Sequence, residues 1–291
     1  MFSYSNELII PFNTDNTIYY PENDCSITSN WGANLKSLNL ENCYGLDIYI
    51  ETCKRFNTKR KQIYSIYEPR AINNFSYQFI EKNYSLFDSI FTFDETLLNI
   101  CPNAIKALPC DSWVKPLENK IPTINKISSV VGAKNWCKGH ILRQQLYFNF
   151  KNLPTIDFFI SSQQPVINLN NFNILPSSMN SKELCFKEYE FHLAIENSRQ
   201  NNYFTEKLMD CMLTKTVPIY WGAPNIAEYF DTRGMIILNT SNIDEIINII
   251  NCIPKTFYID NLEFINYNYN KALYYYNHEC LNSKIKYIFK E

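Results

Sequence analysis

Between Phe191 and Leu238 the chain reads FHLAIENSRQNNYFTEKLMDCMLTKTVPIYWGAPNIAEYFDTRGMIIL, and its order of apolar and polar blocks leaves few folds open. Phe191 to Ile195 is an apolar run that stops abruptly at Glu196, Asn197 and Ser198. Arg199 to Asn202 is polar and reads as loop. Leu208, Cys211 and Met212 then recur at helical spacing, and Pro218 closes that helix. Val217, Ile219, Tyr220 and Trp221 form a second apolar run, ended by Gly222. Strand, polar loop, helix, strand is the grammar of a buried parallel sheet in an α/β fold. In open sheets of this kind, ligands bind beyond the carboxyl ends of the strands, where helices begin. The polar residues of this stretch gather at that place.

Their chemistry is that of an anion site. A helix beginning near Thr205 presents unpaired backbone N–H groups and about half a positive charge to whatever lies above it. Lys207 adds a full charge, and Arg199 another from the loop. Glu196 and Glu206 are acceptors suited to sugar or ribose hydroxyls, Asn197 both donates and accepts, and Tyr203 has a ring face with a polar tip. Cations at a helix start beside acidic and amide groups suit a phosphate joined to a sugar, so a nucleotide-sugar is the expected ligand. Taken singly, Thr205-Glu206 is also an ordinary cap and Glu196-Asn197-Ser198 an ordinary turn. The ordered combination is what points to a site.

The first half repeats the alternation. Leu46–Ile50, Gln62–Tyr67 and Leu86–Phe93 have strand patterns, Asn73 to Tyr84 is polar and helical in character, and Asp94-Glu95 opens a short helix. Ala107–Cys110 reads as a brief strand. This predicts a second parallel layer. KPLENKIP, Lys115 to Pro122, is charged and holds two prolines, which places a boundary between domains 1–120 and 121–291. Beyond it, Ile127–Val131 is a strand and Gly139 to Gln145 opens a helix carrying Arg143. Glu68 follows a strand, where a carboxylate can project into an interdomain cleft; the alternative is a loop glutamate held by Arg70. For Arg143 the alternative is a surface arginine.

The succession Glu196-Asn197-Ser198, Tyr203-x-Thr205-Glu206-Lys207, helix, and Val-Pro-Ile-Tyr-Trp-Gly-x-Pro-Asn at 217–225 resembles the donor-binding signature of the α1,3/α1,4-fucosyltransferases, glycosyltransferase family ten. The likeness runs through Asp210 and Gly222 to Phe230. It implies the GT-B architecture, two Rossmann-like domains facing across a cleft, with the C-terminal one gripping a GDP-sugar. The implied activity is inverting transfer of a sugar, fucose from GDP-fucose, to a hydroxyl of a glycan or glycoconjugate acceptor. A different nucleotide-sugar donor, or an inactive nucleotide- or carbohydrate-binding protein, are the alternatives. The resemblance assigns donor binding to Arg143, Glu196, Asn197, Ser198, Tyr203, Thr205, Glu206 and Lys207. Bacterial members carry their general base in a strand ending Tyr-x-Gly-Glu-Asn, followed by Phe-Asp-Tyr and Phe-Asp-Glu-Leu segments. Tyr64–Pro69, Phe87–Ile90 and Phe93–Leu97 follow in the same order, so the base falls on Glu68, although this chain lacks the glycine and has Pro69 in place of the asparagine.

Charge and composition narrow the remaining classes. With 27 basic against 29 acidic residues and no basic run, nothing predicts a nucleic-acid partner. The 15% aromatic content fits either sugar stacking or a codon bias that also enriches Ile, Asn and Lys. The cysteines form no C-x-x-C pair and the three histidines lie far apart, so no metal site is expected. There is no Asp-x-Asp pair to hold a cation on a diphosphate, and cationic side chains are the expected charge sink; no cofactor or metal is required. No stretch approaches the ~20 apolar residues of a membrane span, and the N-terminus lacks a leader pattern. Reduced thiols in a cytoplasmic compartment, the host's if the source is viral, are expected. The tail from Asn242 to Phe289 reads as helical packing, with Ile243, Ile246, Ile247 and Ile250 on one face and a last helix that returns to the first domain.

Overall fold

The computed structural model describes residues 16–20, 25–29, 45–53, 55, 59–149, 153, 155–161, 173–175 and 179–289. The expected acceptor region, residues 1 to 45, falls outside these apart from two short strands and Gly45. Two six-stranded sheets organise the chain.

The first sheet holds β1 (Asn16–Tyr20), β2 (Cys25–Ser29), β3 (Leu46–Ile50), β4 (Lys61–Ser65), β5 (Ser89–Thr92) and β6 (Ala104–Lys106) in chain order. β1 and β2 pair antiparallel, and every later neighbour pair is parallel. Helix α1 (Arg70–Asn83) connects β4 to β5, and α2 (Glu95–Ile100) connects β5 to β6. Asp94 starts α2 by accepting the Leu97 N–H at 2.9 Å, the ordinary satisfaction of an orphan donor at a helix start. The strand expected at Ala107–Cys110 lies earlier, at β6. Pro109 has no N–H for a ladder, and Leu108 instead bridges Cys280 near the far end of the chain.

The second sheet comprises β7 (Ile124–Val131), β8 (Ile156–Ser161), β9 (Asn173–Leu175), β10 (Tyr189–Ile195), β11 (Val217–Trp221) and β12 (Ile236–Ile237). All its pairs are parallel, and its order is β12-β11-β10-β7-β8-β9. The winding direction therefore reverses between β7 and β10, which opens a crevice at their carboxyl ends. Helix α3 (Lys138–Phe148) leaves β7 and α4 (Glu206–Leu213) leaves β10, so both begin at that crevice. From Leu208 to Leu213 α4 is buried throughout, which fixes its first turn firmly.

The tail forms α5 (Ile243–Asn251), α6 (Phe257–Asp260), α7 (Leu262–His278) and α8 (Leu281–Phe289). Ile246, Ile247 and Ile250 are buried against the second sheet. Tyr275 of α7 packs on Phe204, Tyr229 and Phe230. Leu281 and Ile285 of α8 sit in the core of the first sheet with Cys25, Leu46, Ile48, Ile63 and Phe91. The largest core runs continuously between the sheets, joining Phe93 and Leu97 of the first half to Tyr203, Leu208 and Met209 of the second. Among the described residues no helix is long and apolar enough to cross a membrane.

Candidate functional site

The crevice at the switch point is built from two close approaches. Glycine is scarce, 6 in the whole chain, and two of them border Glu196. A Cβ on Gly139 would lie 1.7 Å from the Glu196 carbonyl oxygen, and the Gly139 N–H donates to the Asn197 carbonyl at 3.0 Å. The start of α3 thus abuts the end of β10, a contact only glycine permits. On the other side, a Cβ on Gly222 would come within 2.1 Å of the Tyr220 hydroxyl and 2.7 Å of Glu196 Cγ.

Glu196 is fully enclosed, and its two carboxylate oxygens accept from the Thr205 N–H and the Thr205 hydroxyl, both at 2.8 Å. Burial pushes its carboxyl up to about 7, against the pull of Lys207. Thr205 caps α4, so Glu196 holds the helix start from beneath. Lys207 stands above it, with Nζ 2.7 Å from Glu206 Oε1, 3.2 Å from Thr205 Oγ1 and 3.9 Å from Glu196 Oε2. Burial opposes the charge on Lys207, but Glu206 and Glu196 outweigh it and raise its pKa. Burial likewise opposes the charge on Glu206, and the neighbouring Lys207 overcomes it and holds that carboxyl down at about 2. Arg143, one turn into α3, donates to the Ile195 carbonyl and, at 3.1 Å, to Asn197 Oδ1. Burial lowers its pKa.

The carboxylate from the other sheet closes the cluster. Glu68 Oε2 lies 3.3 Å from the Tyr203 hydroxyl and 3.4 Å from Asn197 Nδ2. Burial raises the Glu68 carboxyl above its ordinary value, with Lys207 opposing and Glu206 assisting. Tyr203 is itself 1% exposed and stacks against Phe93 at 5.3 Å, so an apolar contact between the two sheets carries the polar one. Glu68, Arg143, Glu206 and Lys207 keep partly open side chains; Glu196, Asn197, Tyr203 and Thr205 are buried beneath them.

Nearly all the residues singled out from the sequence thus meet. Among the described residues Ser198 makes no side-chain hydrogen bond within the cluster. Arg199 is exposed and donates to the Asn239 carbonyl at 3.0 Å, so the loop cation expected there points elsewhere. Arg70 does not hold Glu68; it grips Asp94 at 3.0 Å and Glu81 at 2.8 Å. Two residues of the assembly were not apparent from the sequence. Asn202, at φ 64°, donates to the Phe93 carbonyl at 3.0 Å and pairs with Asn225 at 2.9 Å and 3.0 Å. Gln200 donates to Asp94 Oδ2 at 2.8 Å. Both pin the loop before α4 onto the first sheet. The signal for Asn202 was its residue type, since asparagine tolerates the left-handed region. Among the described residues no group of three or more His, Cys, Asp or Glu side chains is placed to hold a metal ion.

Residues 124–264 match the family model for glycosyltransferase family 10 (fucosyltransferase) C-term. A 93-residue stretch is 33% identical to the alpha-(1,3)-fucosyltransferase FucT of Helicobacter pylori, covering 31% of this chain and 20% of that protein. Over 53 residues the chain is 38% identical to a putative fucosyltransferase of Acanthamoeba polyphaga mimivirus, 18% of this chain and 9% of the relative. The matched stretches thus span a fifth or less of these relatives. In fold, the chain is similar to a crystal structure of an α1,3-fucosyltransferase with GDP-fucose, at TM-score 0.51 and 18% identity over 86% of this chain and 88% of that one. It is also similar to an α-glucosyltransferase in complex with UDP and DNA, at TM-score 0.55 and 12% identity, covering 87% and 81%. The architecture is GT-B.

Proposed function

Because residues 124–264 match the C-terminal model of glycosyltransferase family 10, we propose that the chain belongs to that family and transfers fucose from GDP-fucose to a hydroxyl of a glycan or glycoconjugate, with inversion at the anomeric carbon. One observation carries the reading. A carboxylate from the first sheet, Glu68, meets Asn197 and Tyr203 of the second beside the cations Lys207 and Arg143. One wall supplies a base and the other an anion grip, the two things an inverting transfer needs.

In this reading the diphosphate lies against Lys207, Arg143 and the start of α4, and displaces Glu206 from its pairing with Lys207. Glu206 then accepts from donor hydroxyls, while Asn197, Tyr203 and Thr205 hold the wall. Glu68 takes the proton of the acceptor hydroxyl as that oxygen attacks the anomeric carbon from the side opposite the diphosphate. A new C–O bond forms, the bond to the phosphate oxygen breaks, and GDP leaves with the charge that Lys207 and Arg143 stabilise.

A base works only when deprotonated, and burial raises Glu68 above the ordinary glutamate value of 4.5. Activity is therefore expected to fall as pH drops through that raised value, and the acid limb of kcat/KM lies above 4.5. Calorimetric binding of GDP-, UDP- and CMP-sugars, with GDP release measured over a panel of glycan acceptors, tests the whole reading. GDP-fucose is expected to bind best and turn over. Glu68→Gln is expected to keep donor affinity within about twofold and lose roughly 10²–10⁴-fold in turnover. Preference for another nucleotide would transfer the scaffold to a different donor. Tight binding without turnover on any acceptor would make the chain a binding protein.

A further inference from the structure

The end of β3 holds a feature that the transfer reaction leaves unexplained. Glu51, the residue after β3, has φ 51°, a left-handed conformation unfavourable for a side chain of this size, and is 1% exposed. Its N–H still continues the ladder by donating to the Ser65 carbonyl at 3.1 Å. The side chain turns back over the end of the neighbouring β4. There Glu51 Oε1 accepts the Tyr67 N–H at 2.7 Å and also the N–H of Glu68. Its other oxygen accepts from Asn73 Nδ2 at 3.3 Å, at the point where α1 departs from helical geometry (φ −131°, ψ 57°). From the opposite side the Tyr77 hydroxyl donates to the Glu68 carbonyl at 2.9 Å. The main chain of Glu68 is thus held at both its N–H and its C=O, while its side chain is left to face the second sheet.

We infer that Glu51 is a positioning residue for Glu68: by binding two successive main-chain N–H groups it fixes the loop after β4 so that the Glu68 carboxyl points at Asn197 and Tyr203. This rests on the reading of Glu68 as the base. It explains why a buried carboxylate and a left-handed backbone occur together one strand away from the cluster. An anionic acceptor bonds main-chain N–H groups more strongly than a neutral one, and a strained backbone persists only where the surroundings over-determine it. It also accounts for Pro69 directly after Glu68. A loop clamped from outside has no need of a flexible flanking residue, and Pro69 further restricts the conformation of Glu68.

The charged and titratable groups around the Glu68 carboxyl are Lys207 and Glu206 on α4, Tyr203 before it, and Cys137 at the start of α3. None is touched by substituting Glu51. The test is a ¹³C NMR titration of the glutamate carboxyls in the full chain, with the Glu68 signal assigned by its loss in Glu68→Gln. Beside it run GDP binding and GDP release from GDP-fucose, with oligosaccharide acceptors and with water alone. In Glu51→Ala the loop relaxes into solvent, so the Glu68 carboxyl is expected to titrate lower, toward the ordinary carboxylate range. GDP affinity is expected to stay within about twofold, and turnover to fall at least tenfold. Glu51→Gln, which keeps the volume and one acceptor oxygen, is expected to do the same to a smaller degree and serves if the alanine variant does not fold. An unmoved Glu68 titration in a folded Glu51 variant overturns the inference whatever the turnover. So does a loss of GDP affinity matching the loss of turnover, which would mark general damage. Normal turnover in Glu68→Gln would remove the base reading instead, and the titration would still decide whether Glu51 positions that loop.

Discussion

Lys207 stands between Glu206 and Glu196, whose carboxylates meet its charge. In the proposed transfer a diphosphate gains by taking Glu206's place, and gains more as the leaving group collects negative charge. Lys207→Ala is therefore expected to weaken both donor affinity and turnover, with a loss on the order of 2–4 kcal/mol in transition-state stabilisation. Steady-state kcat/KM measures it, and a near-normal value would show the diphosphate to be held elsewhere. At this scale the sequence was most readable where charge and helix start coincide. Thr205, Glu206 and Lys207 carry their chemistry in their order. Glu51 was not readable, because its partners Tyr67, Glu68 and Asn73 are brought to it by the pairing of β3 with β4 and not by spacing. The burial of Glu196 was likewise hidden: a carboxylate expected to meet ligand hydroxyls spends both oxygens on Thr205.

Helix α3 brings Arg143 to the crevice only because its first turn fits against β10. Gly139→Ala places a methyl where the Glu196 and Asn197 carbonyl oxygens stand, and main-chain atoms cannot swing aside. The helix must back away and carry Arg143 with it. The expected result is donor affinity lowered about tenfold, and stability lowered by about 1–3 kcal/mol as for other overpacked contacts. Calorimetry with GDP and chemical denaturation read the two effects, and unchanged GDP affinity would separate Arg143 from the grip. β3, β4, β10 and β11 were legible as apolar runs bounded by polar residues or glycine. β1 and β2, NTIYY and CSITS, are short and half polar, and only their pairing onto β3 makes them strands. β6 was displaced because Leu108 and Cys110 look like strand residues, yet are buried by packing beside a proline.

Across the whole molecule the charges brought to the site by the described residues are those of side chains, Lys207 and Arg143 facing Glu206, Glu196 and Glu68. Activity is expected to survive EDTA with at most a modest loss. Abolition by the chelator with recovery on Mn²⁺ or Mg²⁺ would make a metal cation, in place of Lys207 and Arg143, the charge sink for the leaving diphosphate. The βαβ pattern predicts parallel layers, but neither the reversal of strand order between β7 and β10, which places these charges, nor the strict chain order of the first sheet could be read from it. That first sheet also depends on distant chain. Its core is completed by Leu281 and Ile285, and Leu108 is bridged to Cys280. During synthesis, which proceeds from the N-terminus, β2 to β6 leave the ribosome long before the helix that covers them. Among the described residues this core of the first sheet lacks Leu281 and Ile285 throughout translation of the second half, and until Ile285 emerges the incomplete core is expected to leave the nascent chain open to chaperones and to aggregation.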